Sequence, residues 1–284
     1  MRQLYAARSL SGFAHVYLAG FERSMACGAD GITVCESLLS VPCRVDWLVL
    51  PIPASPDDVN VTAPFSGHNL PLEYLPTLMK DDGMMFGGRI SGKTRELFGK
   101  YSLSVADITE REDFSVLNAV PTAEGAVQLA MEEMPVTISG RHVLITGMGR
   151  ISRVLCRMLT AMGARVTVCA RKCSDLAWAE ILGCNAVHIT KLDSVLPEAE
   201  LIFNTVPAPL FRRSQLTALN HGVLLIDLAS KPGGVDFDAA RELGVKVIWA
   251  LSLPGKVAPV SSGEIIASTV MNIINERSPA NERA

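Results

Sequence analysis

"VLITGMGRISRVLCRML", residues 143–159, decides how the chain is read. The run Val143-Leu144-Ile145-Thr146 has the pattern of a buried strand. It breaks at Gly147-Met148-Gly149, and from Arg150 apolar side chains recur at helical spacing. A strand that stops on two glycines and restarts as a helix makes a phosphate-binding turn. Gly147 permits the tight bend. Gly149 removes the side chain that would fill the ligand's space. A helix opening at Arg150 and Ile151 then offers free N–H groups and its positive dipole end to a pyrophosphate. Ser152 stands where a third glycine usually lets helix and strand pack closely, and its hydroxyl is a further candidate for a phosphate. Strand, turn, helix and second strand follow within about 30 residues, the context that separates a dinucleotide site from an ordinary α/β turn.

The second strand, "RVTVCARK" (165–172), bears on the cofactor. NAD-selective domains usually end this strand on Asp or Glu, which accepts from the ribose 2′-OH. Here Arg171 and Lys172 stand at the end, followed by Ser174. Two cations and a hydroxyl suit a 2′-phosphate, so the expected cofactor is NADP. The competing reading is a solvated basic strand end. Strands are expected at 141–146, 165–170, 186–188, 201–204, 223–227 and 246–250, six in order, with helices between most of them. Loops behind three of them carry polar residues. "IFNTVPAPL" (202–210) puts Asn204, Thr205, Val206 and Pro207 beside the nicotinamide ribose. "LIDLASKPGGVDF" (225–237) adds Asp227, Ser230 and Lys231, and "LSLPGKVAP" (251–259) adds Lys256. Each loop alone reads as an ordinary connection; together, behind successive strands, they form one candidate site.

Upstream, helices are expected at 2–10, 72–79 and 94–100, strands at 15–19, 46–51 and 83–86, and a short apolar piece at 104–107. A turn-rich loop covers 55–69. "PTAEGAVQLAMEEM" (121–134) reads as a strong helix opening at Pro121-Thr122, with Glu124 in its first turn. The fold class is α/β: two Rossmann-like domains with parallel sheets facing across a cleft. The first covers 1–120, and the NADP domain covers 121–261 with a linker helix at 122–134. A final helix, 262–277, packs on the first domain. The chain opens on a helix where such a domain opens on a strand, so two readings stand: the first strand of the amino-terminal domain is missing, or that domain has an unusual edge.

Composition narrows the classes. Of 284 residues, 49% are hydrophobic, enough for a sizeable core, and a formal net charge of −3 leaves no basic footprint for nucleic acid. Five histidines and seven cysteines show no zinc-ligand spacing, so no metal is expected. The cysteines (Cys27, Cys35, Cys43, Cys156, Cys169, Cys173, Cys184) read as buried free thiols in a reducing compartment. No apolar run reaches the roughly 18 to 20 residues that span a bilayer, and no secretory signal is seen, so a cytoplasmic protein is expected.

Five segments, "NAVPTAEGAV", "ITGMGRISRVL", "FNTVPA", "IDLASKPGGVDF" and "LPGKVAP", occur in the order in which they resemble the dipicolinate synthase A-subunit family, from residue 118 to about 270. The likeness is looser before that. Family members usually begin with a strand and a Gly-Gly-Asp-x-Arg turn, of which only Arg2, Gln3 and Leu4 are visible. The resemblance implies NADP-dependent oxidation of a dihydrodipicolinate, or its hydrated precursor, to dipicolinic acid in the sporulating mother cell. It also implies a flavoprotein-like B-subunit partner and a homo-oligomer. A dicarboxylate needs cationic or hydroxyl anchors, for which Lys231, Lys256, Ser230 and Thr122 are candidates, with Arg89 and Ser91 in the first domain. Glu124 and Asp227 are the acidic candidates for a base, against a helix-capping reading for Glu124 and a structural one for Asp227. The competing functions are a different two-domain oxidoreductase, such as an alanine dehydrogenase relative, and an NADP-binding protein without catalysis of its own.

Overall fold

The computed structural model describes residues 1–21 and 30–277. They form two compact units. One is Met1–Leu117 together with the chain from Pro259 onward, and the other is Asn118–Ala258.

The first unit opens with helix α1 (Arg2–Leu10). Strands β1 (Val16–Ala19) and β2 (Ile32–Cys35) pair in parallel as a small sheet of their own. The sequence pattern marks the first of these strands and not β2. A second parallel sheet has the order β3 (Val45–Val49), β4 (Met79–Gly87), β5 (Ser104–Asp107). The segment expected as a helix at 72–79 is a 3₁₀ stretch, Leu72–Leu78, because Pro76 lies inside it and cannot donate to an α-helical ladder. Helix α2 (Gly92–Gly99) follows β4, with Ser91 accepting from the Thr94 N–H as its cap.

The helix expected to open at Pro121 begins much earlier. Helix α3 runs Glu112–Glu133, with Glu112 and Asp113 in its first turn and Pro121 in its interior. The acidic pair at the positive end of the helix dipole is the start signal; the proline only imitates one. Glu124 is therefore mid-helix, which removes its capping reading.

The second unit holds strands β6 (His142–Thr146), β7 (Arg165–Ala170), β8 (Asn185–His188), β9 (Leu201–Asn204), β10 (Leu224–Asp227) and β11 (Lys246–Trp249). All are parallel, in the order β11-β10-β9-β6-β7-β8. Both faces are covered, which is why these strands read as unbroken apolar runs. Val143, Ile145, Phe203 and Ile226 enter one core with Leu155 and Leu159 of helix α4 (Arg150–Ala161). Leu144, Ile202 and Leu225 enter the other with Phe211 and Leu216. The remaining helices are α5 (Cys173–Ile181), α6 (Arg213–Thr217), α7 (Phe237–Glu242), α8 (Leu253–Val257) and α9 (Pro259–Glu276).

Helix α9 packs on α1 through Gly263, where a Cβ would lie 2.6 Å from the Arg2 carbonyl oxygen and 2.6 Å from Tyr5 Cβ. Cys35, Cys156, Cys169 and Cys184 are buried free thiols, whereas Cys43 and Cys173 are exposed, contrary to expectation. Cys173 opens α5 at a strand end, where no core covers it. Cys27 lies outside the described residues. Among the described residues, no helix is long and apolar enough to cross a membrane.

Candidate functional site

The order of the six-stranded sheet reverses at β6, which pairs with β7 on one side and β9 on the other. Open parallel sheets bind ligands outside the carboxyl ends of their strands at such a point. Gly147 takes φ +86°, and a Cβ there would lie 2.7 Å from Thr205 Oγ1 and 2.9 Å from Val206 Cγ2. Both the backbone and the space demand glycine. Gly149 is the N-cap of α4 and is extended. A Cβ on it would meet nothing within 4 Å, so the ground before the helix start is open. That combination fits a pyrophosphate held by the α4 N–H groups. Arg150 is exposed beside it, and Ile151 packs its side chain against the core.

Ser152 does not face that space. It is fully buried, 2.9 Å from Thr205 Oγ1. Because Thr205 donates its own proton to the Thr146 carbonyl at 2.8 Å, Ser152 is the donor in this pair. The expected phosphate contact of Ser152 is thus replaced by a packing and bracing role.

Three polar residues end the neighbouring strands in register: Thr146 on β6 opposite Asn204 on β9, and Asn204 opposite Asp227 on β10. All three have zero exposure. Thr146 Oγ1 donates to Asn204 Oδ1 at 2.6 Å, and Asn204 Nδ2 donates to Asp227 Oδ1 at 2.8 Å. Asn204 also holds its own loop, donating to the Val206 carbonyl and accepting from the Val206 N–H. Asp227 accepts from the Ala229 N–H at 3.0 Å and the Gly234 N–H at 2.9 Å. A Cβ on Gly234 would sit 2.2 Å from Asn204 Nδ2.

Buried polar atoms must be paired, and here they pair with one another. The sequence places Asn204 and Thr205 beside the nicotinamide ribose and offers Asp227 as a base. The structure instead uses all three to brace the loops after β9 and β10, which favours the structural alternative for Asp227. Val206 and Pro207 keep surface free next to Gly147.

The rim is different. Arg171, Lys172 and Ser174 are exposed after β7, and none of their side chains forms an ion pair among the described residues. The nearest acid in sequence, Asp175, sits in the first turn of α5, where it complements the helix dipole. His188 ends β8 and fixes this turn. Its Nδ1 accepts from the Thr190 N–H, so the proton is on Nε2, which donates to the Arg171 carbonyl at 3.1 Å.

Ser230 and Lys231 follow β10 and are exposed; Lys256 is exposed on α8 after β11. Their position is set by two close contacts. Trp249 Nε1 donates to the Ala229 carbonyl at 3.0 Å. Gly125 of α3 abuts Leu253 and Val257 of α8, at 3.1 Å from an added Cβ. Glu124, next to that glycine, is exposed, whereas Thr122 is buried and donates to the Asn118 carbonyl at 2.7 Å. Thr122 is thereby used within its own helix. A cavity of about 340 Å³ is lined by Ile189, Thr190, Asp193, Pro209 and Arg212, among others, from the segments after β8 and β9. Thr146, His188 and Trp249 escape a reading of the sequence. A polar residue closing each of three strands is the available signal for the first.

The family profile of the dipicolinate synthase A-subunit N-terminal domain matches residues 1–109. That of the D-isomer specific 2-hydroxyacid dehydrogenase NAD binding domain matches residues 117–238. The dipicolinate synthase A-subunit of Bacillus subtilis (strain 168) is 29% identical over 97% of this chain and 93% of its own length. The crystal structure of the dipicolinate synthase A-subunit from Bacillus halodurans is 30% identical, covers 96% of this chain and 94% of that one, and has a TM-score of 0.88. An L-alanine dehydrogenase structure, at 16% identity and a TM-score of 0.65 over 95% of this chain and 83% of that one, shares the fold alone.

Proposed function

Because the chain belongs to the dipicolinate synthase A-subunit family, we propose that it is an NADP-dependent oxidoreductase that aromatises dihydrodipicolinate, or its hydrated precursor, to dipicolinic acid. The observation that supports the cofactor most directly is the end of β7, where Arg171 and Lys172 stand exposed in place of the acid that an NAD-selective domain carries. The glycine turn and the start of α4 would hold the pyrophosphate. Arg171, Lys172 and Ser174 would hold the 2′-phosphate through charge-assisted contacts. When bound, the nicotinamide supplies a hydride acceptor.

The protein's part is to bind and orient. Lys231 is the first choice for a carboxylate anchor, with Ser230 and Lys256 beside the same sheet edge. Asp227 acts on them indirectly, by fixing the backbone at Ala229 and Gly234. Of the two acidic candidates for taking the ring proton, Glu124 alone is solvent-facing, which supports it over Asp227. A homo-oligomeric assembly, a flavoprotein-like B-subunit partner and a cytoplasmic place in the sporulating mother cell belong to the same proposal, on the family's account.

The test is a spectrophotometric assay of the full chain with a dihydrodipicolinate precursor and NADP, with and without the flavoprotein-like partner. Formation of the pyridine dicarboxylate in step with NADPH supports the reaction. Its absence in both arms, with NADP still bound, would refute it and favour a non-catalytic role.

A further inference from the structure

The first unit carries cations at the carboxyl edge of its own sheet. We propose that the guanidiniums of Arg2 and Arg89 together bind one carboxylate of the substrate. This rests on the reading above that the substrate is a dicarboxylate.

Three observations converge. Arg89 follows β4, the central strand of the β3-β4-β5 sheet, on the side where parallel sheets bind ligands. It takes φ +52°, a left-handed conformation that is strained for a bulky residue. Its backbone is over-determined: its N–H bonds to Asp107 Oδ1 at 3.2 Å and Thr109 Oγ1 at 3.3 Å, and the next N–H, of Ile90, bonds to Asp107 Oδ2 at 2.7 Å. The fold spends a buried carboxylate to hold Arg89 in a strained pose, while the Arg89 side chain itself stays exposed.

Arg2 comes to the same place from α1. Its guanidinium donates to the Ile52 carbonyl, just beyond β3, and Gln3 donates to the Leu50 carbonyl at 2.7 Å. Gly88, the residue before Arg89, lies against Ile52 so closely that a Cβ would be 2.5 Å from its Cγ1. The two arginines thus flank one contact. Burial, and then the charge of Arg89, lower the pKa of Arg2. Among the described residues no carboxylate pairs with either guanidinium. The nearby acids are already engaged, with Glu110 held by Arg95 at 2.7 Å and Asp107 by the loop it anchors. Two like charges, one half-buried, held together without an acid, cost stability that an incoming anion returns. A planar carboxylate matches guanidinium geometry.

The test titrates dipicolinate, by calorimetry, into the full chain and into its R89Q, R89K and R2Q variants, with NADP titrated into the same proteins. Dipicolinate affinity should fall at least tenfold in R89Q and R2Q and less in R89K, while NADP affinity stays within about twofold. Ligand-free R89Q should melt no lower than the parent, because it removes one of two repelling charges. Unchanged dipicolinate affinity in R89Q would overturn the site, as would a lower melting temperature with NADP binding weakened in parallel. Dipicolinate binding without any NADP-linked turnover would refute the proposed reaction and leave this site standing.

Discussion

The carboxyl ends of β6, β9 and β10 and the carboxyl end of β7 lie on one edge of one sheet, yet they treat polar residues oppositely. In the first region Thr146, Asn204 and Asp227 are fully buried and bond to one another and to the loop backbones. In the second, Arg171 and Lys172 have their side chains in solvent, while the Arg171 carbonyl is held by His188 and the Lys172 carbonyl by the Asp175 and Leu176 N–H groups. Central strands are covered on both faces, so a polar side chain at their ends must find its partners inside the protein. Arg171 and Lys172 lie beyond the last residue of β7, Ala170, in the turn that opens α5, and there their side chains are free for a ligand. The inner group braces the loops at this edge; on the proposed function, the outer group selects the dinucleotide.

The largest expected effect lies in the inner group. Asp227→Ala strands one of the two Asn204 Nδ2 protons and the N–H groups of Ala229 and Gly234, and should cost on the order of 4 kcal/mol, read by denaturant unfolding. Gly234→Ala drives a methyl into Asn204 and should cost about 3 kcal/mol. If either variant unfolds at the parent's midpoint, the bracing role is wrong.

The glycine turn comes next and should separate binding from folding. Gly149→Val has open space for its side chain, so stability should hold while NADP affinity falls on the order of 100-fold, equal to about 2.7 kcal/mol. Loss of fold instead would mean that Gly149 serves packing.

The smallest effect belongs to His188, which acts on the rim only through a carbonyl. His188→Ala should weaken NADP roughly three- to tenfold and leave NAD alone, with His188→Gln restoring part of the loss by supplying an N–H donor. A parallel loss for both dinucleotides would reduce His188 to a fold-stabilising residue.

How far the sequence carries these conclusions follows from the same contrast. The six strands of the second unit and the demand for glycine at Gly147 are legible, because periodicity and glycine report backbone needs directly. The start of α3 is not, since Pro121 resembles a helix start and only the upstream acids Glu112 and Asp113 mark the real one. Asn204, Thr205 and Ser152 read as ligand contacts because a polar residue behind a strand looks the same whether it turns inward or outward. The deciding facts, the register of Thr146 with Asn204 and of Asn204 with Asp227, are properties of strand pairing across 23 to 58 residues of chain and not of any local stretch. The Arg2–Arg89 pair is hidden for the same reason, being joined through Ile52 and Gly88 from three separate segments.

The most direct test of the outer group's selecting role is the ratio of NADP to NAD affinity in the parent chain and in the Arg171→Ala/Lys172→Ala double variant, measured at one fixed salt concentration. The parent should prefer NADP by at least tenfold, and the double variant should lose that preference with NAD affinity and stability unchanged. A parent that binds both dinucleotides equally, or a double variant that keeps its preference, would contradict it.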